Sequence, residues 1–346
     1  MELITLEMIL LGLLFLLVSP ILWVAGLILA YVVITRNYIH HVARIFQEKP
    51  LFIIPRGDVS VACDSIRFPT SGGLMLQGCY FKTTFPRKGV ILFGLEFSSN
   101  RFSSISYCEW LVTAGYDVFI YEPRNQGDSD KQPDYEPLHW ITQYEVDDTK
   151  SAISYLKTRP DADPNGIGFF GISKGAAAGL YVGADEPYIL CSVSDGVFGT
   201  YTTMVPFMRQ WICIYSKRAA IHTILPYWFF GKLALDAINI AEIERTGKAK
   251  FLHLESKIRK MTTPWFMIHG VLDTYIKPEM ARTLFKMCNS PKKLWAVPGA
   301  RHNMAIQIAP EEYKNRVLSF FDSYLASSSS VKLPSKQIEA VVSNSK

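Results

Sequence analysis

The strongest constraint on this 346-residue chain lies near its N terminus, where no charged residue occurs from Met8 to Thr35. As a helix, a run of about 28 residues is about 42 Å long, and the hydrocarbon core of a bilayer is about 30 Å thick. The run is therefore long enough to span a membrane with some tilt, and the sequence predicts a transmembrane anchor over residues 1–36.

A cleaved signal peptide is the main alternative for this run. Such peptides have a short basic leader and an apolar core of about 7–15 residues. Here the leader carries Glu2 and Glu7 and the apolar run is longer, which favours a retained helix. Pro20 lies within the run, and proline removes a backbone donor and clashes with the preceding turn. A kinked single span and a re-entrant hairpin at Pro20 both remain open, with the single span favoured.

Charge and cysteine content predict the orientation of the anchor. Arg36, Arg44 and Lys49 follow the apolar run, and basic flanks are retained on the cytoplasmic side. The remainder of the chain is therefore predicted to face the cytosol. The six cysteines are widely spaced and form no CxxC pair, so we expect buried free thiols in a reducing compartment. This expectation agrees with a cytosolic location. The cysteines are Cys63, Cys79, Cys108, Cys191, Cys213 and Cys288.

Several classes of partner are not expected from the composition. The net charge of +5 is modest, and the basic residues are not gathered into a stripe, so we expect no nucleic-acid partner. The seven histidines show no zinc-ligand spacing with cysteines or carboxylates. The sequence accordingly predicts neither a metal site nor a cofactor.

Beyond a juxtamembrane connector over residues 37–58, β-branched runs alternate with helical periodicity, which is typical of a mostly parallel sheet. This α/β domain is predicted over residues 59–325, with an aromatic-rich helical insertion, interpreted as a cap, at about 199–254. A Ser-rich tail at 326–346 is predicted to be disordered. The predicted strands are Ser65–Phe68, Leu74–Thr83, Gly89–Phe93, Tyr116–Tyr121, Gly166–Phe170, Ile189–Ser194, Trp265–His269 and Lys293–Val297.

One of these strands leads directly into a serine between two glycines and then into a helix of small residues. A serine hydroxyl becomes a useful nucleophile when a sharp strand-to-helix turn holds it clear of the sheet beside a base. Gly171 and Gly175 provide the small neighbours that such a turn needs around Ser173. The pattern therefore predicts Ser173 as a catalytic nucleophile. The alternative is a loop serine that only caps the following helix.

An acid and a base follow in the order Ser, Asp, His. Asp273 comes after a buried strand and His302 after the next one. A histidine can take the serine proton, and an aspartate can fix the histidine tautomer. Asp195 ends the preceding strand and is an alternative acid, with Asp273 preferred.

These motifs resemble those of the α/β-hydrolase superfamily. The matching segments include Arg124-Asn-Gln-Gly-Asp-Ser129, Gly171-Ile-Ser-Lys-Gly175, His269-Gly-Val-Leu-Asp273 and Gly299-Ala-Arg-His302-Asn303. The closest likeness is to the serine-aminopeptidase-like and monoacylglycerol-lipase-like branch. The resemblance implies an eight-stranded, mostly parallel sheet and a serine hydrolase.

The resemblance also implies two backbone donors for an oxyanion, the N–H groups of Leu95 and Lys174. This chain departs from the family in having Phe93-Gly94 where His-Gly is usual. Glu96 follows, and because a carboxylate facing the developing negative charge would oppose catalysis, we expect its side chain to turn outward.

The expected reaction is hydrolysis of an acyl ester, lipid or lipid-like, through an acyl-enzyme on Ser173. The insertion carries enough aromatic area to line an acyl-chain tunnel, although packing onto the domain is an equal alternative. These residues are Phe198, Tyr201, Phe207, Trp211, Tyr215, Tyr227, Trp228, Phe229 and Phe230. An acyl thioesterase, a peptidase and a non-catalytic binding protein on the same scaffold are the other functions considered.

Overall fold

The structure is a computed structural model that describes residues 2–47, 62–216, 225–245 and 247–326. Its first element is the helix α1, Glu2–Gln47, which continues without a turn through Pro20. Within the part from Glu7 to Arg44, a stretch of 18 residues has a mean hydropathy of 2.6, and this part is long and apolar enough to cross a membrane. A hairpin at Pro20 is therefore not present, and the first eleven residues of the predicted connector extend the helix.

Helix α1 forms one compact unit with the segment Met204–Arg245. This segment holds most of α5, Thr200–Ser216, and all of α6, Tyr227–Arg245. The hydroxyl group of Tyr31 donates to Asp236, and Gln47 Nε2 donates to Glu244 Oε2 at 2.7 Å. The earlier of these residues on α1 contacts the earlier one on α6, and the later contacts the later, so the two helices run parallel.

The second unit is built on one eight-stranded sheet with the strand order β1-β2-β4-β3-β5-β6-β7-β8. Strand β2 pairs antiparallel with both β1 and β4, and all other pairs are parallel. All eight predicted strands are present. They are β1 Asp64–Pro69, β2 Met75–Phe81, β3 Gly89–Gly94, β4 Tyr116–Tyr121, β5 Ile167–Ile172, β6 Ile189–Asp195, β7 Trp265–Gly270 and β8 Lys292–Val297.

Helices cover both faces of this sheet. Side chains of a strand alternate between its two faces, so a strand that is apolar throughout needs cover on both. The helices of this unit, besides the start of α5, are α2 Ile105–Thr113, α3 Gln143–Thr158, α4 Ser173–Gly183, α7 Leu254–Ile258, α8 Pro278–Met287, α9 Ala305–Ile308 and α10 Pro310–Phe321. On β3, Ile91 and Phe93 belong to a core that includes residues of α2 and α10, whereas Val90 and Leu92 pack with residues of α3. A short π-helix, Asp322–Ala326, closes the described part of the chain.

The predicted insertion between β6 and β7 is helical, as α5, α6 and α7 show. Its aromatic residues are not all equivalent. Phe198, Phe229 and Phe230 are buried, whereas Tyr227 and Trp228 are each 60% exposed. The side chain of Tyr215 and the predicted tail beyond Ala326 lie outside the described residues.

The prediction of six free thiols is wrong for one pair. Cys63, which directly precedes β1, forms a disulfide bond with Cys79 on the neighbouring strand β2, and their Cα atoms are 5.7 Å apart. Antiparallel pairing brings the two residues together, and spacing along the chain gave no sign of it. Cys108, Cys191 and Cys288 are free and buried, and the Cys213 side chain lies outside the described residues.

Candidate active site

Ser173 lies at the junction between β5, which ends at Ile172, and α4, which begins at the serine itself. Its φ of 52° is in the left-handed region that residues other than glycine seldom adopt. The turn is possible because Gly171 and Gly175 let two backbones approach closely. A Cβ on Gly171 would lie 2.6 Å from Ala176 Cα, and one on Gly175 would lie 2.3 Å from the Leu95 carbonyl oxygen.

Replacing Gly175 with alanine should therefore damage both stability and activity. The new methyl group would meet backbone atoms of Gly94 and Leu95, which have no rotamer by which to move away. We expect a loss of about 1–3 kcal/mol in the free energy of unfolding, typical of overpacking, together with a reduced kcat. Thermal unfolding and turnover measure the two effects. Gly183→Ala is a matched control on the same helix, since its Cβ would meet no atom closer than 3.5 Å.

A continuous series of hydrogen bonds leads from Ser173 to a buried carboxylate. Ser173 Oγ lies 3.1 Å from His302 Nε2, and His302 Nδ1 lies 2.7 Å from Asp273 Oδ2. The other carboxylate oxygen, Asp273 Oδ1, accepts from the backbone N–H groups of Tyr275 and Ile276 at 2.9 and 2.8 Å. These bonds hold the carboxylate of Asp273 facing His302, so the three side chains have the geometry of a nucleophile, a base and an orienting acid.

Asp195, the alternative acid, makes a different contact. It is the last residue of β6, and its Oδ2 accepts a hydrogen bond from the hydroxyl group of Tyr313 on α10 at 3.0 Å. Burial raises the pKa of this carboxyl to about 7. The imidazole of His302 makes its short contact with Asp273 instead.

The raised pKa of Asp195 predicts a pH-dependent stability. The pKa of this carboxyl is higher in the folded chain than its ordinary value of 3.8, so the folded chain holds the proton more tightly than the unfolded chain does. The free energy of unfolding therefore falls as the pH rises from about 4 through 7. Asp195→Asn keeps an acceptor for Tyr313 but carries no charge. We expect the melting temperature of the variant to exceed that of the wild type at pH 8, with the difference shrinking at pH 5. An equal difference at both pH values would contradict this assignment.

The predicted oxyanion donors lie on two neighbouring segments. Leu95 directly follows β3, and Lys174 is the second residue of α4. The Lys174 side chain is buried, and its Nζ donates to Glu145 Oε1 at 2.7 Å. Burial by itself would raise the pKa of Glu145, but the Lys174 ammonium and the hydroxyl donors around the carboxylate lower it overall. Sequence reasoning assigned Lys174 only a backbone role and missed this ion pair.

Glu96 does not extend freely into solvent but contacts a residue next to His302. Its side chain is only partly exposed, and Glu96 Oε2 accepts a hydrogen bond from Asn303 Nδ2 at 2.6 Å. Burial raises the pKa of Glu96, while the Asn303 bond and the nearby His302 act in the opposite direction. The sequence contains one indication of this contact: Glu96 directly follows a predicted oxyanion donor, and Asn303 directly follows the predicted base.

Aromatic rings adjoin the imidazole of His302. The Tyr275 ring lies edge-on to His302 with centroids 5.3 Å apart, and His139 lies 5.9 Å from Tyr275. Burial lowers the pKa of His139 to about 3, so this imidazole stays neutral near pH 7. No feature of the sequence distinguished His139 from an ordinary loop histidine. Among the described residues, no three His, Cys, Asp or Glu side chains are grouped as metal ligands.

The fold has counterparts among solved structures. An esterase of Pyrococcus furiosus matches with a TM-score of 0.58 and 20% identity, covering 80% of this chain and 96% of the esterase. The chain has the α/β-hydrolase fold. Four residues follow the carboxyl ends of parallel strands: Leu95, Ser173, Asp273 and His302.

Curated relatives of this chain are distant. The uncharacterized protein YfhR of Escherichia coli O157:H7 is 24% identical over 271 residues, which are 76% of this chain and 82% of YfhR. Thiohydrolase apmlB of Arthrinium phaeospermum is 30% identical over 132 residues, only 36% of this chain and 40% of the thiohydrolase. No family model matches the chain.

Proposed function

We propose that this chain is a membrane-tethered serine hydrolase that cleaves acyl esters, lipid or lipid-like, through an acyl-enzyme on Ser173. The observation that carries the proposal is the series of hydrogen bonds from Ser173 Oγ through His302 to Asp273. Ordinary surface serines do not combine such a series with a left-handed backbone at a strand-to-helix turn.

In the proposed mechanism, His302 Nε2 removes the proton from Ser173 Oγ as the oxygen attacks the acyl carbon. The same nitrogen then protonates the leaving alcohol, and the acyl group stays on Ser173. Water, deprotonated by His302, hydrolyses this acyl-enzyme and restores the serine. Asp273 holds the proton on His302 Nδ1 and stabilises the imidazolium that forms in both steps.

The developing negative charge on the acyl oxygen needs donors that are already in place. We assign this role to the backbone N–H groups of Leu95 and Lys174. Lys174 lies in the first turn of α4, where N–H groups are not used within the helix and the helix dipole favours an anion. The buried ion pair between Lys174 Nζ and Glu145 keeps the lysine side chain, and hence this turn, fixed.

An ester is the proposed substrate because the Pyrococcus furiosus protein of the same fold is an esterase. Thioester hydrolysis is the second candidate, and the partial similarity to a thiohydrolase favours it. Both reactions use the same acyl-enzyme chemistry, and they differ in the leaving group that His302 protonates.

The experiment that tests the proposal has two stages. Labelling of the detergent-solubilised wild type by a fluorophosphonate probe is expected to require Ser173. A series of ester and thioester substrates with acyl chains of increasing length then identifies the leaving group and the chain preference. Folded wild-type protein that takes up no probe would overturn the proposal in favour of a non-catalytic scaffold.

We also propose that α1 anchors the enzyme as a single span with the hydrolase unit in the cytosol. The exposed apolar side chains from Met8 to Val33 favour contact with lipid, and Arg36 and Arg44 favour the cytosolic side. The disulfide between Cys63 and Cys79 removes the support that free thiols gave to this orientation. Protease added to intact, cytosol-side-out vesicles is expected to digest the hydrolase unit, and its protection would reverse the orientation.

A further inference from the structure

Glu96 and Asn303 each lie directly after a residue of the proposed catalytic machinery. Glu96 directly follows Leu95, whose N–H is the first proposed oxyanion donor, and Asn303 directly follows the base His302. The two residues lie far apart in the chain and on loops after different strands, β3 and β8. Their side chains nevertheless meet through the hydrogen bond of 2.6 Å from Asn303 Nδ2 to Glu96 Oε2.

Both residues are also fixed on their backbone side. The Glu96 carbonyl oxygen accepts from Gln126 Nε2 at 3.0 Å, and the Asn303 carbonyl oxygen accepts from the Tyr107 hydroxyl group at 3.0 Å. Asn303 has a φ of 56°, and its Oδ1 lies so close to Gly196 that a Cβ there would be 2.3 Å away. The amide therefore has little room to rotate, and its NH₂ group is held toward Glu96.

We propose that Glu96 and Asn303 are a pair of positioning residues that holds the loop after β3, which carries Leu95, at a fixed distance from His302. Catalysis by an oxyanion site requires donors that are in place before charge develops, and a misplacement of about 1 Å can cost about a hundredfold in rate. The same bond directs the carboxylate toward Asn303 and so prevents it from turning toward the developing oxyanion. Neither side chain takes part in bond making or breaking.

The inference rests on the proposed function and makes its own prediction about rate. Asn303→Asp places two carboxyl groups against each other, so we expect kcat to fall about 30- to 100-fold with KM changed less than about threefold. Glu96→Gln keeps an acceptor at the same place, and its kcat should stay within about threefold of the wild type. The double variant, Glu96→Gln with Asn303→Asp, reverses donor and acceptor and should recover at least tenfold of the lost kcat.

Controls separate this inference from the proposed function and from misfolding. Glu312→Gln removes an exposed carboxylate from α10 and should leave kcat and KM unchanged. Melting temperatures show which variants are folded, and recovery in the double variant cannot arise from damage to the fold. Wild-type kcat in Asn303→Asp, no recovery in the double variant, or a change confined to KM would each overturn the pairing. Absence of Ser173 labelling in the wild type would instead overturn the proposed function.

Discussion

Replacing Ser173 with alanine is expected to lower kcat by about 10⁴- to 10⁶-fold while the chain still folds. The expected loss is this large because Ser173 is the proposed site of the acyl-enzyme, and members of a catalytic triad fail as a unit. Ester turnover measures the effect, and fluorophosphonate labelling should disappear with it. Hydrolysis in Ser173→Ala at more than about one hundredth of the wild-type rate would show that another residue is the nucleophile.

A second replacement at the same position separates chemistry from backbone strain. Glycine adopts a φ of 52° without the steric cost that serine and alanine bear there. Ser173→Gly should therefore be as inactive as Ser173→Ala but more stable than it, by about 1 kcal/mol in the free energy of unfolding. Equal melting temperatures for the two variants would mean that the turn stores no strain at this residue.

The second large effect is expected at the acid. Asp273→Asn should lower kcat by about 10⁴-fold, because an asparagine amide facing His302 Nδ1 favours the wrong imidazole tautomer. Asp195→Asn, which changes the same atoms at the end of the neighbouring strand, should keep kcat within about threefold of the wild type, because Asp195 contacts Tyr313.

The pair of variants also decides between the two acids. If Asp195→Asn abolished turnover and Asp273→Asn did not, the proton on His302 Nδ1 would have to be held by Asp195 during catalysis. Both variants should be compared at several pH values, since the raised pKa of Asp195 makes its charge depend on pH near neutrality.

The fold was largely predictable because strands in a mostly parallel sheet are short, apolar runs separated by helices. The segments around Tyr116–Tyr121 and Ile167–Ile172 show this, since each is buried throughout and rich in β-branched or aromatic residues. The continuation of α1 to Gln47 was not predicted, because charge marks where a chain leaves lipid but does not end a helix.

The proposed catalytic residues were identifiable for a related reason. Ser173, Asp273 and His302 each follow a recognisable strand, and the carboxyl ends of parallel strands meet at one edge of the sheet. Contacts between side chains of separate segments carry no such signal. The pairs Lys174–Glu145 and Glu96–Asn303 depend on the paths of two separate segments, and no periodicity or spacing in the sequence specifies them.

The parallel packing of α1 on α6 has a practical consequence for obtaining a water-soluble form of this protein. Deleting the N terminus up to residue 49 would remove not only the exposed apolar turns of α1 but also Tyr31 and Gln47, which contact α6. The Phe229 side chain would lose the ring of Tyr31 that packs edge-on against it. A sounder route to solubility is surface redesign: polar residues in place of the exposed side chains between Met8 and Val24, with the helix from Leu27 to Gln47 retained.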